Sequence, residues 1–184
     1  DNTTAENNTA VGYAALTANT IGTNNVAVGK MALAGNTEGD NNIGIGKDSL
    51  VGNTTGDHNI GIGLDALDAN TTGVSNTAIG SDALGGNTTG GYNIAIGRVA
   101  LAANTTASNN LAIGYNTLTS NTTGTANVGI GNYALDANTD ADNNTAVGYN
   151  ALGSNTTAAA STAIGAYSLD ANTTGTGNTA VGYG

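Results

Sequence analysis

The chain has no cysteine, proline, phenylalanine or tryptophan, a single histidine (His58), and only three basic residues (Lys30, Lys47, Arg98) against thirteen acids. Without cysteine there is no disulfide scaffold, although either redox compartment suits such a chain. One His and no Cys leave little material for a Ser/Cys–His catalytic pair or a His/Cys metal site. A formal charge of −10 argues against nucleic acid or an anionic membrane surface as a partner. There is no apolar run of bilayer-spanning length and no signal peptide. The chain opens without Met and stops inside a repeat, so it reads as a segment of something longer, with targeting information elsewhere.

What the chain does have is one unit, copied end to end. A Gly preceded by Val or Ile recurs every seventeen residues, and the residue before it forms a column: Val11, Val28, Ile45, Ile62, Ile79, Ile96, Ile113, Ile130, Val147, Ile164 and Val181. Four residues after the Gly stands Leu16, Leu33, Leu50, Leu67, Leu84, Leu101, Leu118, Leu135, Leu152 or Leu169. Three further on is an Asn, always followed by Thr, and a second Asn column four before the Gly is broken only by Ser161. A fixed period of this kind is the signature of a solenoid. A disordered Gly/Asn/Thr-rich tract is the alternative, but disorder tolerates slippage, and here the register holds without an insertion. Residues 1–7 read as the tail of a preceding repeat. Residues 8–184 are ten full repeats plus a partial one, forming a single solenoid segment.

The run Thr77-Ala78-Ile79, like Val26-Ala27-Val28 and Ile94-Ala95-Ile96, alternates β-branched with small residues and predicts a strand. A second short extended segment is predicted around the Leu, and Asn-Thr-Thr-Gly supplies a turn. A helix at the Leu is fenced by Gly and Asn-Thr-Thr to a length too short to persist. The fold class is therefore all-β, a β-solenoid of 17-residue coils with two short strands per coil. At roughly 4.8 Å per coil the rod is about 50 Å long.

Only Val or Ile precedes the Gly, and only Ala or Gly stands one position earlier, so both faces of the first strand read as covered. A seventeen-residue coil is thin, and the Val/Ile ladder calls for a second surface. At about 1.5–3 kcal/mol per buried side chain, eleven such residues exceed the roughly 5–15 kcal/mol net stability of an ordinary domain. Self-association is the simplest source of that surface, with a single-chain solenoid holding every ladder inside as the alternative. Which face points into the coil is left open. Stacked Asn side chains read as amide ladders that also cap turn backbone groups.

Variation concentrates in the two slots after the Gly, which implies exposure. Tyr13, Tyr115, Tyr133, Tyr149, Tyr167 and Tyr183 occupy them near the chain ends, as a candidate contact stripe for a host glycan or surface protein, or as the rim of a subunit contact. Asp40, Asp48, Asp57, Asp65, Asp68 and Asp82 cluster in the first half and invite weak Ca²⁺ binding, but no column holds Asp throughout, so no dedicated cofactor or metal is expected. In a eukaryotic or viral secreted product the sequons at Asn2, Asn53, Asn70, Asn87, Asn104, Asn121, Asn155 and Asn172 are candidate glycan acceptors, with Asn7 and Asn143 also matching the pattern. The same Asn-Thr-Thr run is a good turn, which weakens that reading.

Asn8-Thr9-Ala10-Val11-Gly12, Asn93-Ile94-Ala95-Ile96-Gly97 and Ser161-Thr162-Ala163-Ile164-Gly165 resemble the head repeats of YadA-like trimeric autotransporter adhesins. The longer Asn-Thr-Ala-Val-Gly-Tyr…Leu…Asn-Thr-Thr-Gly form is similar to repeats of phage and giant-virus tail or surface fibres. The resemblance covers the whole chain, although this unit is longer than those of the adhesin heads. It implies a left-handed β-roll, three chains side by side as a homotrimer, an extracellular, cell-surface or virion-surface location, and no catalytic residue. The expected function is a structural or adhesive fibre segment with itself as partner. An ice-binding solenoid is the alternative, on the unbroken column Thr20, Thr37, Thr54, Thr71, Thr88, Thr105, Thr122, Thr139, Thr156 and Thr173. Adjacent Thr residues in a turn do not share one plane, however. A polysaccharide-active enzyme would need acids and bases gathered at one coil, and Arg98 is the only arginine.

Overall fold

The computed structural model describes residues 4–184, so Asn2 and part of the leading tail lie outside the described residues. Eleven three-residue strands follow in order: β1 (Thr9–Val11), β2 (Val26–Val28), β3 (Ile43–Ile45), β4 (Ile60–Ile62), β5 (Thr77–Ile79), β6 (Ile94–Ile96), β7 (Leu111–Ile113), β8 (Val128–Ile130), β9 (Thr145–Val147), β10 (Thr162–Ile164) and β11 (Thr179–Val181). They form one parallel sheet whose spatial order is the sequence order. Every residue pairs with the one seventeen further on, Ala78 with Ala95 and Ile79 with Ile96. The chain is a parallel β-solenoid, and like residues of successive repeats lie above one another.

Each strand ends at its Gly because the chain must turn there in a conformation closed to other residues. Gly80 has φ 138°, and a Cβ built on it would lie 2.6 Å from both the carbonyl carbon and the oxygen of Gly97 in the next coil. Backbone stacks on backbone at this corner, and no side chain fits between.

There is one strand per coil, not two. The predicted second strand fails at the Leu itself, which has φ between 50° and 54° in all ten coils. That left-handed conformation interrupts a strand and costs a non-glycine residue about 1–2 kcal/mol. It turns the Leu side chain into the coil, where Leu33 through Leu152 are fully buried, worth about 1.5–3 kcal/mol apiece. Inter-coil bonding continues without a strand, since the Leu84 N–H donates to the Ala100 carbonyl at 3.0 Å; within the coil the Leu84 carbonyl accepts from the Asn87 N–H at 3.1 Å.

The interior is narrow. It consists of the Leu column, the Ala column just before it (Ala32, Ala66, Ala83, Ala100, Ala134, Ala151), and the middle residue of each strand, such as Ala78 or Ala95. The face left open by the sequence is thereby assigned: Ala or Gly points inward, and the flanking residues point outward. At Ser49 and Thr117, where a larger residue replaces the Ala before Leu, the facing strand carries Gly61 and Gly129 and so gives up its Cβ. Ser49 lies 2.6 Å from where a Cβ on Gly61 would sit, and its hydroxyl donates to the Gly61 carbonyl at 2.8 Å.

The outer strand face was expected to be covered, and within one chain it is not. Ile45 and Ile79 are 38% exposed, and Ile94 and Ile164 41%. The side chains presented by β2 to β10 on this face are Val, Ile, Leu and Thr, with no charge among them.

Candidate recognition surface

Two Asn columns fix the corners that carry the variable residues. Asn87 Nδ2 donates to Asn70 Oδ1 at 2.9 Å and to the Gly90 carbonyl of its own turn at 3.0 Å. Asn76, from the other column, donates to the same Gly90 carbonyl at 2.8 Å while its Oδ1 accepts from the Asn93 N–H at 3.0 Å. Both columns are buried, so each amide satisfies backbone groups that a turn would otherwise leave unpaired. The second column bonds mainly to backbone, and the first both to its neighbour and to its own turn.

The fold does not place all the sequon asparagines alike. Asn53, Asn70, Asn87, Asn104, Asn121 and Asn155 are wholly buried, and their Nδ2 atoms are already donating, as Asn53 does to Asn36 and Gly56. In the folded rod these nitrogens are enclosed. Asn172 is half-buried in the last turn. The exposed sequons are instead Asn7 and Asn143, which lie in the left-handed turn slot before the buried column.

The Thr column from Thr20 to Thr156 spends its hydroxyls internally. Thr54 donates to the Thr71 carbonyl and Thr71 to the Thr88 carbonyl, each at 3.0 Å, and the pattern repeats along the rod. The acids of the first half are also engaged. Asp40 accepts from the Thr23 N–H, Asp57 accepts from the Asp40 N–H, and Asp48 pairs with Lys47 at 2.8 Å. Among the described residues no group of three His, Cys, Asp or Glu side chains is placed to hold a metal ion. Burial, then the nearby Asp65, holds the Asp68 carboxyl above the usual carboxylate range, and burial raises Asp136 likewise. His58 is exposed in a turn slot with φ 59°, and its backbone N–H donates to the Asp40 carbonyl at 3.0 Å.

The tyrosines do come together. Tyr115, Tyr133, Tyr149, Tyr167 and Tyr183 form one continuous row on five successive coils, with ring centroids 5.4, 5.8, 5.3 and 5.9 Å apart and each ring steeply inclined to the next. Such edge-to-face pairs contribute about 0.5–1.5 kcal/mol each. Arg98 continues the row, its guanidinium 5.8 Å from the Tyr115 centroid. Tyr13 stands apart at the other end of the rod, and Tyr92 occupies a different corner. The sequence puts these residues on one stripe, although the Tyr spacing alternates between eighteen and sixteen and does not hold at seventeen. Rings alternate between the first and second slot after the Gly, and that alternation is the signal that identifies them. Crowding by neighbouring side chains, then the adjacent Tyr hydroxyls, raises the Tyr133 and Tyr167 phenols above their ordinary range.

Compared with protein-family models, with curated proteins and with solved structures, the chain matches none. The class defined by its coordinates is the parallel β-solenoid of tandem repeats.

Proposed function

We propose that this chain is a non-enzymatic structural segment of an extracellular fibre, on a cell or virion surface, assembled from copies of itself. In this reading the coils wind left-handed and three chains pack side by side through their outer strand faces. The observation that supports it is the uncovered ladder of Val and Ile running the length of an otherwise polar rod. An uncharged apolar strip of that length on an acidic protein is surface whose burial drives association. Self-pairing suits it because the strip is regular, so any two copies present the same repeat to one another. The remaining corners then face solvent, and the aromatic row is available for contact with a host or surface molecule.

Sedimentation equilibrium together with small-angle scattering tests this. The expected result is a rod of several chains whose mass falls to that of one chain when Ile79 and Ile96 are both replaced by Lys, with the β-type circular dichroism retained. A parent protein that sediments as a folded single chain overturns the reading.

A further inference from the structure

The geometry points to the row Tyr115–Tyr183 as a binding track for an extended, neutral polysaccharide, with one sugar-sized contact per coil. The inference rests on the fibre reading above for its setting and names the ligand of that surface.

The first argument is regularity. Four successive ring-to-ring separations fall between 5.3 and 5.9 Å over five successive coils. Equal steps of that size suit a linear polymer of identical rings, and a second copy of this chain, which also repeats, is the alternative that the test separates. The second is the pattern around the rings. In these slots the residue beside each Tyr is Asn in three coils: Tyr115-Asn116, Asn132-Tyr133 and Tyr149-Asn150. Rings alternating with amides match the two kinds of surface on a sugar, its weakly positive C–H faces and its hydroxyl rim. Tyr and Asn combine rigid amphipathic area with adaptable hydrogen bonding, which is why binding loops favour them.

Charge selects among glycans. Arg98 sits at one end of the row, while Asp136 lies near Tyr133 and Asp170 near Tyr167. Carboxylates along the flank of a chain carrying −10 overall repel a polyanion. The rings also brace one another, so little side-chain freedom is lost when a ligand settles on them.

The test is affinity electrophoresis of the purified chain through gels containing hydroxyethylcellulose or glucomannan as neutral probes and polygalacturonate as the anionic one. Tyrosine emission is followed in parallel, since the chain lacks Trp. The key variant is Y133N/Y149N/Y167N, which places in each slot a residue that the same slot carries in an adjacent coil and so keeps the backbone. The parent should be retarded by a neutral probe and run free through polygalacturonate. The triple variant should bind at least tenfold more weakly, and Y92N should bind like the parent. The inference is overturned if neither neutral probe retards the parent, if polygalacturonate retards it equally, or if the triple variant binds unchanged. It is also overturned if the triple variant contains fewer chains by sedimentation, because the row would then be a subunit seam. A parent that is monomeric yet retarded refutes the fibre reading and leaves the track standing.

Discussion

Asn87 Nδ2 lies 2.9 Å from Asn70 Oδ1, and the two amides are members of one buried column in which each coil's Asn donates to the Asn below it. The contact couples neighbouring repeats at the turn, outside the strands. It does so through a group that also closes its own turn on Gly90.

Replacing Asn87 by Ala therefore leaves the buried Asn70 Oδ1 without its amide donor and takes the Asn87 Oδ1 acceptor from Asn104 Nδ2, while the Gly90 carbonyl keeps the Asn76 donor. The expected loss is about 1–3 kcal/mol, read as a lowered denaturant midpoint. Thr89, exposed two residues away, serves as the comparison: Thr89→Ala should change stability by no more than about 0.5 kcal/mol. Equal effects would mean that the Asn column is ornamental.

Leu84 offers a reversal of an ordinary rule. Leu84→Ala removes a fully buried side chain and should cost about 2–5 kcal/mol. Leu84→Gly empties the same space but relieves the φ of 52°, which is worth about 1–2 kcal/mol. Glycine should thus equal or outperform alanine here, although in regular structure it is worse by about 0.5–1 kcal/mol. Thermal unfolding of the two variants decides it, and alanine clearly ahead would contradict the left-handed corner.

Ser49 and Gly61 should behave as a coupled pair. Alone, Gly61→Ala drives a methyl onto the Ser49 hydroxyl, which lies 2.6 Å from the Cβ position. Combined with Ser49→Ala it recreates the Ala66–Ala78 arrangement of the next coil. A double-mutant cycle should give a favourable coupling of about 0.5–3 kcal/mol, and additivity would refute the packing described.

Asp68 and Asp136 give a pH dependence whose direction is fixed. Burial raises both carboxyls above the ordinary value of 3.8, so the folded state holds these protons more tightly than the unfolded one. Their contribution is fully present below 3.8 and is lost as pH rises through the folded values. Asp68→Asn/Asp136→Asn should raise stability at neutral pH and flatten the fall between mildly acid and neutral solution. Parent and variant melts across that window would expose a wrong sign as a variant that gains nothing.

Much of this was legible because neighbouring repeats share one environment. Whatever recurred at every copy had to stack, so the Leu column could be read as core and the Asn columns as ladders. Backbone sign was not legible, since nothing in Leu favours positive φ. Only the buried position to which Leu84 is drawn makes it adopt that conformation, which is why a strand was expected there. Inward and outward faces were ambiguous for a similar reason, because Ala78 is small enough for either side. Burial of the Asn also escaped the sequence, which is why a turn pattern resembled a glycan acceptor.

The tyrosine row has a further consequence. The backbone returns to itself after every coil, but Tyr133 and Tyr167 share a slot that Tyr115, Tyr149 and Tyr183 do not. The decorated surface therefore has twice the period of the scaffold beneath it. A gene that gained or lost a single repeat within this half would keep a seamless rod yet throw the aromatic pattern out of phase. Gain or loss in pairs would preserve both.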